Sequence, residues 1–202
     1  MRTLKYGFFG EDIAQQLFLE NYLLQLPLIL NEQVAFVRDV DFKLKGHNKS
    51  NVIKLLSDAV QIGLSQYHQD VFFVGVDSDD ERMTEHKKQY LQITEQVSLA
   101  HRDKTFIFIP VQCIEHWLLY LKFKKEHPNS NKNEKYEQIA RADAKKKMYG
   151  NARPVMDKQI GIVANCTQNM DIEWLIERSE SFRHFHCQLI DFLTDKDTKT
   201  SR

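Results

Sequence analysis

The sequence is poor in cysteine and glycine, and these shortages exclude several kinds of site. Its 202 residues include three cysteines, Cys113, Cys166 and Cys187, which are too few and too scattered for a disulfide framework or a paired-cysteine zinc site. Among the seven glycines, neither of the phosphate-binding patterns GxGxxG and GxxxxGK(S/T) occurs, which argues against ATP hydrolysis by this chain. The GxSxG motif of serine hydrolases is also missing.

An excess of one charge and a long apolar run are missing as well. The 28 basic and 28 acidic residues give zero net charge, so any binding of nucleic acid would depend on local basic patches. No apolar run approaches the ~20 residues that cross a bilayer. The amino-terminal segment MRTLKYGFFGED reaches acidic residues too early for a signal peptide. With so few cysteines, these features predict a cytoplasmic protein that does not associate with membranes.

Apolar runs alternate with helical patterns over residues 1–125. Strand-like runs occur at 4–9, 34–42, 71–76 and 105–111, and each precedes a segment with apolar residues at three- and four-residue spacing. The last two runs, VFFVGV and TFIFIPV, are continuously apolar, as is typical of strands buried on both faces. The repeated strand–helix order predicts an α/β domain with a four-stranded parallel sheet flanked by helices.

The sequence changes character after the predicted sheet. Residues 126–137 belong to the polar stretch KFKKEHPNSNKNEKYE and are predicted to form an exposed loop. Residues 138–195 carry helical patterns at 138–149, 154–164 and 172–193, and we expect them to form a helical extension packed on the same domain. The polar residues 196–202 are expected to be a flexible tail.

Acidic residues follow the first and third predicted strands. Glu11 lies in FFGEDIAQQ, and Asp77 and Asp79 lie in VGVDSDD. Ligands of open parallel sheets gather at the carboxyl ends of the strands, and carboxylates two residues apart can face one hard cation. Without a cation, carboxylates this close repel one another. The loop could instead cap the next helix, since Asp and Glu favour helix starts, so both interpretations remain open.

The combination of these acidic residues resembles the Toprim (topoisomerase–primase) domain. In that family a glutamate after strand one and an Asp-x-Asp pair after strand three sit on a four-stranded parallel sheet, and Glu11, Asp77 and Asp79 match them. The family glutamate directly precedes a glycine, whereas here Gly10 precedes Glu11. The run IPVQCIEHWLL resembles the Pro-x-x-x-x-Glu-x-Trp-Leu-Leu segment of small stand-alone bacterial Toprim-like proteins, and SESFRHFHCQL is similar to their Ser-x-Ser-Phe-Arg helix.

The resemblance implies a metal-dependent nuclease. Glu11, Asp77 and Asp79 would be catalytic and would bind one or two Mg²⁺ or Mn²⁺ ions, with Glu115 as a further ligand. The substrate would be nucleic acid, DNA in preference to RNA. The resemblance also implies an effector of bacterial antiviral defence that works with a separate ATPase subunit. Glu115 could instead be an ordinary surface residue of its helix, while Trp117 is expected in the core.

Basic residues in the extension are candidates for contacts with the phosphate groups of a substrate. We expect Lys146 to be a catalytic cation that neutralises transition-state charge, and Lys145 and Lys147 to bind nucleic acid. A solvated helix face is the alternative for these lysines. Arg183 would bind phosphate through both arms of its guanidinium group or pair with Glu180. Histidines at metal-ligand spacing are missing, which argues against zinc.

Two other classes of function stay open. The Gly10–Glu11 order is compatible with a non-catalytic regulatory or binding subunit whose metal site is degenerate. A phosphotransfer enzyme with Asp77 as its nucleophile is the third hypothesis. The sequence lacks the further Thr/Ser and Lys motifs expected of that class at later strand ends. It leaves the oligomeric state, the strand form of the substrate and the choice between exo- and endonuclease undetermined.

Overall fold

The computed structural model shows an α/β fold and describes residues 2–30, 33–151 and 154–200, with side chains up to residue 194. Its four strands are β1 (Arg2–Gly10), β2 (Val34–Arg38), β3 (Val71–Gly75) and β4 (Thr105–Phe108). They form one parallel sheet in the order β2-β1-β3-β4. Gly75 lies opposite both Gly10 and Phe108, so β1, β3 and β4 end at the same edge. The predicted fold class is confirmed.

Helices follow every strand and continue through the carboxy-terminal part. They are α1 (Ile13–Leu30), α2 (Lys49–Gln61), α3 (Met83–Gln96), α4 (Glu115–Glu126), α5 (Arg141–Tyr149), α6 (Met156–Thr167), α7 (Ile172–Arg178) and α8 (Glu180–Thr200). Within the described ranges, no helix combines the length and the apolar character needed to cross a membrane.

The two faces of the sheet bury separate apolar clusters because side chains alternate along each strand. Phe72 and Val74 of β3 pack with α2 and α3 on one face. Phe73 of β3 faces the other side, where α1 and the helices from α4 to α8 cover the sheet. The helical extension therefore supplies much of the apolar cover on this second face.

The carboxy-terminal boundaries differ from the prediction in three places. Helix α4 continues to Glu126, so residues 122–126 of the polar stretch are helical. The single helix predicted over 172–193 is two helices, α7 and α8, separated at Ser179. The Ser179 hydroxyl accepts a hydrogen bond from the Phe182 amide at 3.0 Å, which is the arrangement of a helix N-cap and explains the break. Helix α8 runs to Thr200, into the predicted tail.

The two segments that carried the later part of the resemblance contact each other. Trp117 of α4 is fully buried, which confirms its expected place in the core, and its indole Nε1 donates to Ser181 Oγ at 2.8 Å. The Ser181 and Ser179 hydroxyls both donate to Glu137 Oε1, at 2.5 and 2.7 Å. Glu137 lies in the turn just before α5, so these bonds join the starts of α4 and α8 to the chain that leads into α5.

The buried His86 of α3 is expected to lower the free energy of unfolding of the protein at acidic pH. The side chain is 1% exposed, and its ring packs against His184 at 5.3 Å. Burial, followed by the neighbouring His184, lowers the pKa of His86 from 6.5 to about 4. Below pH 6.5 the unfolded chain binds a proton that the folded chain excludes. Stability therefore falls as the pH drops from 6.5 towards 4, by at most about 3 kcal/mol.

Urea unfolding near neutral pH and at about pH 4.5 measures this difference. A His86→Phe variant cannot titrate and should lose less stability on acidification than the wild type. His127→Gln, which changes an exposed histidine, should keep the wild-type difference. Equal acid sensitivity of wild type and His86→Phe would show that His86 does not contribute.

Candidate functional site

Acidic residues from three chain segments meet at the carboxyl edge of the sheet. Glu11 follows β1, Asp77 follows β3 and Glu115 begins α4, which follows β4. The Glu11 carboxylate accepts a hydrogen bond from the Asp77 backbone amide at 2.6 Å. Despite the Gly10–Glu11 order, Glu11 therefore lies against the loop that carries the aspartates. Burial is the main cause that raises the pKa of Glu11.

Asp77 is a buried carboxylate with a defined set of donors. Its side chain is almost inaccessible, and its Oδ1 accepts from Gln15 Nε2 at 3.0 Å and from the Ile114 amide at 3.2 Å. Burial, followed by the charges of Glu11 and Glu115, raises the pKa of Asp77 to about 8. A negative charge held here is costly unless donors or a cation compensate it. The position is thus arranged to favour a nearby positive charge.

The loop that carries Asp79 has an uncommon backbone conformation. Asp79 has a φ of 61° and Gln112, on the neighbouring loop after β4, has a φ of 58°. The two loops are hydrogen bonded to each other, since the Asp79 amide donates to the Gln112 carbonyl and the Gln112 amide to the Asp80 carbonyl. Left-handed residues other than glycine are uncommon and are concentrated at functional sites. The pairing of the loops fixes the direction of the Asp79 side chain.

Arg141, the first residue of α5, connects the two aspartates. Its Nη2 contacts Asp77 Oδ2 at 3.1 Å, and its Nη1 contacts Asp79 Oδ1. The chain before α5 is anchored, because Gln112 Nε2 donates to the Ile139 carbonyl at 2.7 Å and a His116 ring nitrogen lies 3.0 Å from the same oxygen. Sequence reasoning missed Arg141, because nothing in the local pattern of α5 indicates a partner 64 residues away.

Lys49 is a second cation that the sequence did not reveal. Its Nζ donates to Asp79 Oδ2 at 3.1 Å, to the Ser78 carbonyl at 2.8 Å and to Gln89 Oε1 at 3.2 Å. Burial lowers the pKa of Lys49, while the charges of Glu11 and Asp77 act in the opposite direction. Asp79 therefore has two cationic partners, one at each oxygen of its carboxylate.

The acidic residues are of the type that binds a divalent cation, although in this structure Arg141 supplies the positive charge beside them. Glu11, Asp77 and Asp79 offer only oxygen ligands, which hard cations prefer. The guanidinium group of Arg141 stands as a cation between the two aspartates. In the part of the chain that the structure describes, no three His, Cys, Asp or Glu side chains lie close enough together to hold a metal ion.

The three lysines predicted to contact a substrate do not all lie in the same place. Lys145 and Lys146 line a cleft of about 490 Å³ together with Glu115, and Lys145 Nζ lies 3.8 Å from Glu115 Oε1. Lys147 is exposed and is not among the residues that line this cleft. Glu115 is buried, so its interpretation as an ordinary surface residue is wrong.

Arg183 lies on the exposed side of α8. Its alternative partner, Glu180, pairs with Lys87 at 3.2 Å, so the Arg183–Glu180 pair is not formed. Over the described residues, Arg183 makes no hydrogen bond or ion pair with Glu11, Asp77, Asp79 or Glu115. The structure does not bring it to the acidic residues, and its role in binding phosphate stays a prediction.

In comparisons with known proteins, no family model, no curated protein and no solved structure matches the chain.

Proposed function

We propose that this protein is a Mg²⁺- or Mn²⁺-dependent nuclease that hydrolyses phosphodiester bonds in DNA or RNA. The observation that carries the proposal is the bridge by Arg141, because it shows oxygens of Asp77 and Asp79 directed at one cation. Glu11 and Glu115 lie beside this pair and would complete the set of carboxylates. The resemblance of the same residues to the Toprim domain supports the proposal.

Fixed hydrogen-bond donors would hold the carboxylates of this site in place, and a partly exposed arginine would give way to the metal ion. Gln15 and the Ile114 amide hold Asp77 in one orientation, and the Asp77 amide fixes Glu11. A bound divalent cation would activate water and neutralise charge on the scissile phosphate. Arg141 is 38% exposed, so its side chain has room to leave the aspartates and bind a phosphate through both arms of its guanidinium group.

Lys145 and Lys146 would provide further positive charge next to Glu115, and Lys146 is the proposed cation for the transition state. With zero net charge the chain has little overall attraction for nucleic acid, which supports delivery by a partner. We therefore include a separate ATPase subunit, a role in antiviral defence and a cytoplasmic location in the proposal.

A non-catalytic regulatory subunit is the second candidate, and the same arginine favours it. If Arg141 stays between Asp77 and Asp79, the two carboxylates are neutralised without a metal ion. A site closed in this way would bind a partner without cleaving a substrate. Binding of Mn²⁺ measured by calorimetry separates the two candidates, because only the nuclease requires it.

The test compares two neighbouring aspartates of the same loop. Asp79 contacts Arg141 and Lys49, whereas the Asp80 side chain pairs with Arg82 at 2.8 Å. Cleavage of plasmid DNA, single-stranded DNA and RNA is measured with Mg²⁺ or Mn²⁺ and with EDTA. We expect metal-dependent cleavage that falls about 10²-fold or more in Asp79→Asn, since a group acting on the transition state is lost.

Asp80→Asn is the matched control and should keep the wild-type rate within about twofold. Equal losses in both variants would mean that the loop, and not the Asp79 carboxylate, matters. No cleavage of any substrate, together with no binding of Mn²⁺, would favour the non-catalytic subunit.

A further inference from the structure

The segment between β2 and α2 alternates between apolar or small residues and basic residues. Residues 42–49 read FKLKGHNK and contain three lysines and no acidic residue. From residue 42 to residue 46 the backbone forms no helix, turn or bend and has no positive φ angle. Side chains two residues apart share one side of such an extended chain. The pattern therefore places Lys43 and Lys45 together on one side of the segment.

Burial along the segment follows the same alternation. Phe42 is buried and packs edge to face against an aromatic ring of β3, with 5.4 Å between the ring centres. Gly46 is also buried, and Leu44 between them is partly exposed. Lys43 and Lys45 are both exposed. The residues of one side thus hold the segment against the protein, while the two lysines project into solvent.

The segment ends at the acidic residues of the candidate site. A Cβ atom added at Gly46 would lie 2.8 Å from the carbonyl oxygen of Gly10, so the segment lies directly against the residue that precedes Glu11. Three residues later, Lys49 Nζ donates to Asp79 Oδ2 at 3.1 Å. The row of basic residues therefore begins in solvent and ends beside two of the proposed metal ligands.

The ammonium groups of Lys43 and Lys45 have no partner of their own. In the part of the chain that the structure describes, no hydrogen bond or ion pair joins either group to another residue. Lys49, in contrast, is held by Asp79 and by Gln89 Oε1. Carboxylates repel the phosphates of a nucleic acid, so a strand that reaches them needs positive charge along its approach. The two unpaired lysines supply this charge.

We propose that Lys43, Lys45 and the exposed His47 bind the phosphate backbone of the substrate and lead it to Glu11 and Asp79. Residues two apart in an extended chain are separated by about 7 Å, which is comparable with the separation of neighbouring phosphates in a strand. Each lysine would therefore contact its own phosphate. The inference rests on the proposed function, because the strand bound here would be the one that is cleaved. A single strand and a duplex offer the same phosphates.

Binding measured in EDTA tests the inference separately from any cleavage. Fluorescence anisotropy gives the affinity for a labelled single strand of about 12 nucleotides and for the duplex of the same sequence. Its dependence on salt counts the phosphates in contact, because each contact contributes about −0.7 to the logarithmic slope for a single strand and about −0.9 for a duplex. The form that binds more tightly is identified as the ligand. No binding of either form at about 50 mM salt overturns the proposal.

Lysine variants locate the strand on the protein. Lys45→Ala should reduce the magnitude of the single-strand slope by about 0.7, and Lys43→Ala combined with Lys45→Ala should reduce it by about 1.4 and weaken binding about tenfold or more. Lys104→Ala is the matched control and should keep the wild-type slope, since Lys104 lies just before β4, at the opposite edge of the sheet. Circular dichroism checks the folding of each variant. An unchanged slope in the double variant, or an equal change in Lys45→Ala and Lys104→Ala, would show that this segment does not bind the strand.

A negative result for cleavage does not decide this inference. A protein that binds the strand through Lys43 and Lys45 but cleaves nothing would retain the binding segment and lose the nuclease proposal. A protein that cleaves, and whose double variant keeps the wild-type slope, would retain the nuclease and lose the binding segment.

Discussion

Replacement of Arg141 by alanine is expected to raise the affinity for Mn²⁺ by at least about tenfold, or about 1.4 kcal/mol. The guanidinium group contacts both Asp77 and Asp79, so a metal ion that binds these carboxylates has to displace it. Its removal ends this competition and also removes a like charge from the neighbourhood of the metal ion. Calorimetric titration of wild type and variant with Mn²⁺ measures the change.

The same variant should be less stable than the wild type in EDTA. Asp77 loses the only cation that contacts it among the described residues, and hydrogen bonds to charged groups contribute about 1.5–3 kcal/mol. Partial exposure of Arg141 lowers this figure, and we expect a fall in Tm of about 2–4 °C that added Mn²⁺ reverses. Arg82→Ala, which removes a partner of Asp80 and Glu85, should change neither property. A weaker affinity for Mn²⁺ in Arg141→Ala would show that the arginine assists the metal ion.

Replacement of Asp77 by asparagine is expected to abolish cleavage while leaving the fold at least as stable. Asparagine keeps the side-chain oxygen that accepts from Gln15 and the Ile114 amide. It removes a buried negative charge that lies near Glu11 and Glu115, and this gain offsets the loss of the contact between Asp77 Oδ2 and Arg141 Nη2. We expect a loss of about 10³-fold in rate, and a Tm that is unchanged or about 2–4 °C higher in EDTA. Functional sites often combine low stability with high activity in this way.

Asp77→Ala separates the charge from the hydrogen bonds. Alanine leaves the Gln15 amide and the Ile114 backbone amide without their acceptor, which should cost about 1–3 kcal/mol. Urea unfolding of both variants in EDTA, beside the cleavage assay, gives the comparison. If Asp77→Asn unfolds as easily as Asp77→Ala, then its loss of activity follows from the loss of structure, and our interpretation of Asp77 is wrong.

The strands of the sheet could be predicted because each is marked by the residues of its own short segment. Each buried parallel strand is a continuous apolar run, as in VFFVGV before Asp77, and β3 and β4 are buried on both faces. The place of Asp77 followed from the same pattern, since the carboxyl end of a strand is also its end in the sequence. The break at Ser179 was not predictable from spacing, because one side-chain hydrogen bond stops an otherwise continuous apolar stripe.

The cations of the site were missed because they are distant in the sequence from the aspartates that they contact. Lys49 precedes Asp79 by 30 residues and Arg141 follows Asp77 by 64, and both reach the loop through tertiary packing. An arginine at the start of a helix has no special pattern in the sequence. The run of lysines after it was conspicuous, yet Lys147 lies outside the cleft that Lys145 and Lys146 line. Prominence in the sequence was therefore a poor guide to which cation meets the aspartates.

The helical cover on one face of the sheet limits how the protein can be shortened. Phe73, Phe106 and Phe108 of the strands are buried against rings of the last helix, Phe185 and Phe192. A fragment that stops at residue 125 would keep every strand and expose this aromatic layer to water. Such a fragment would aggregate. During synthesis, the sheet could complete its folding only after the last helices have left the ribosome. The sheet alone is thus not a minimal unit for expression.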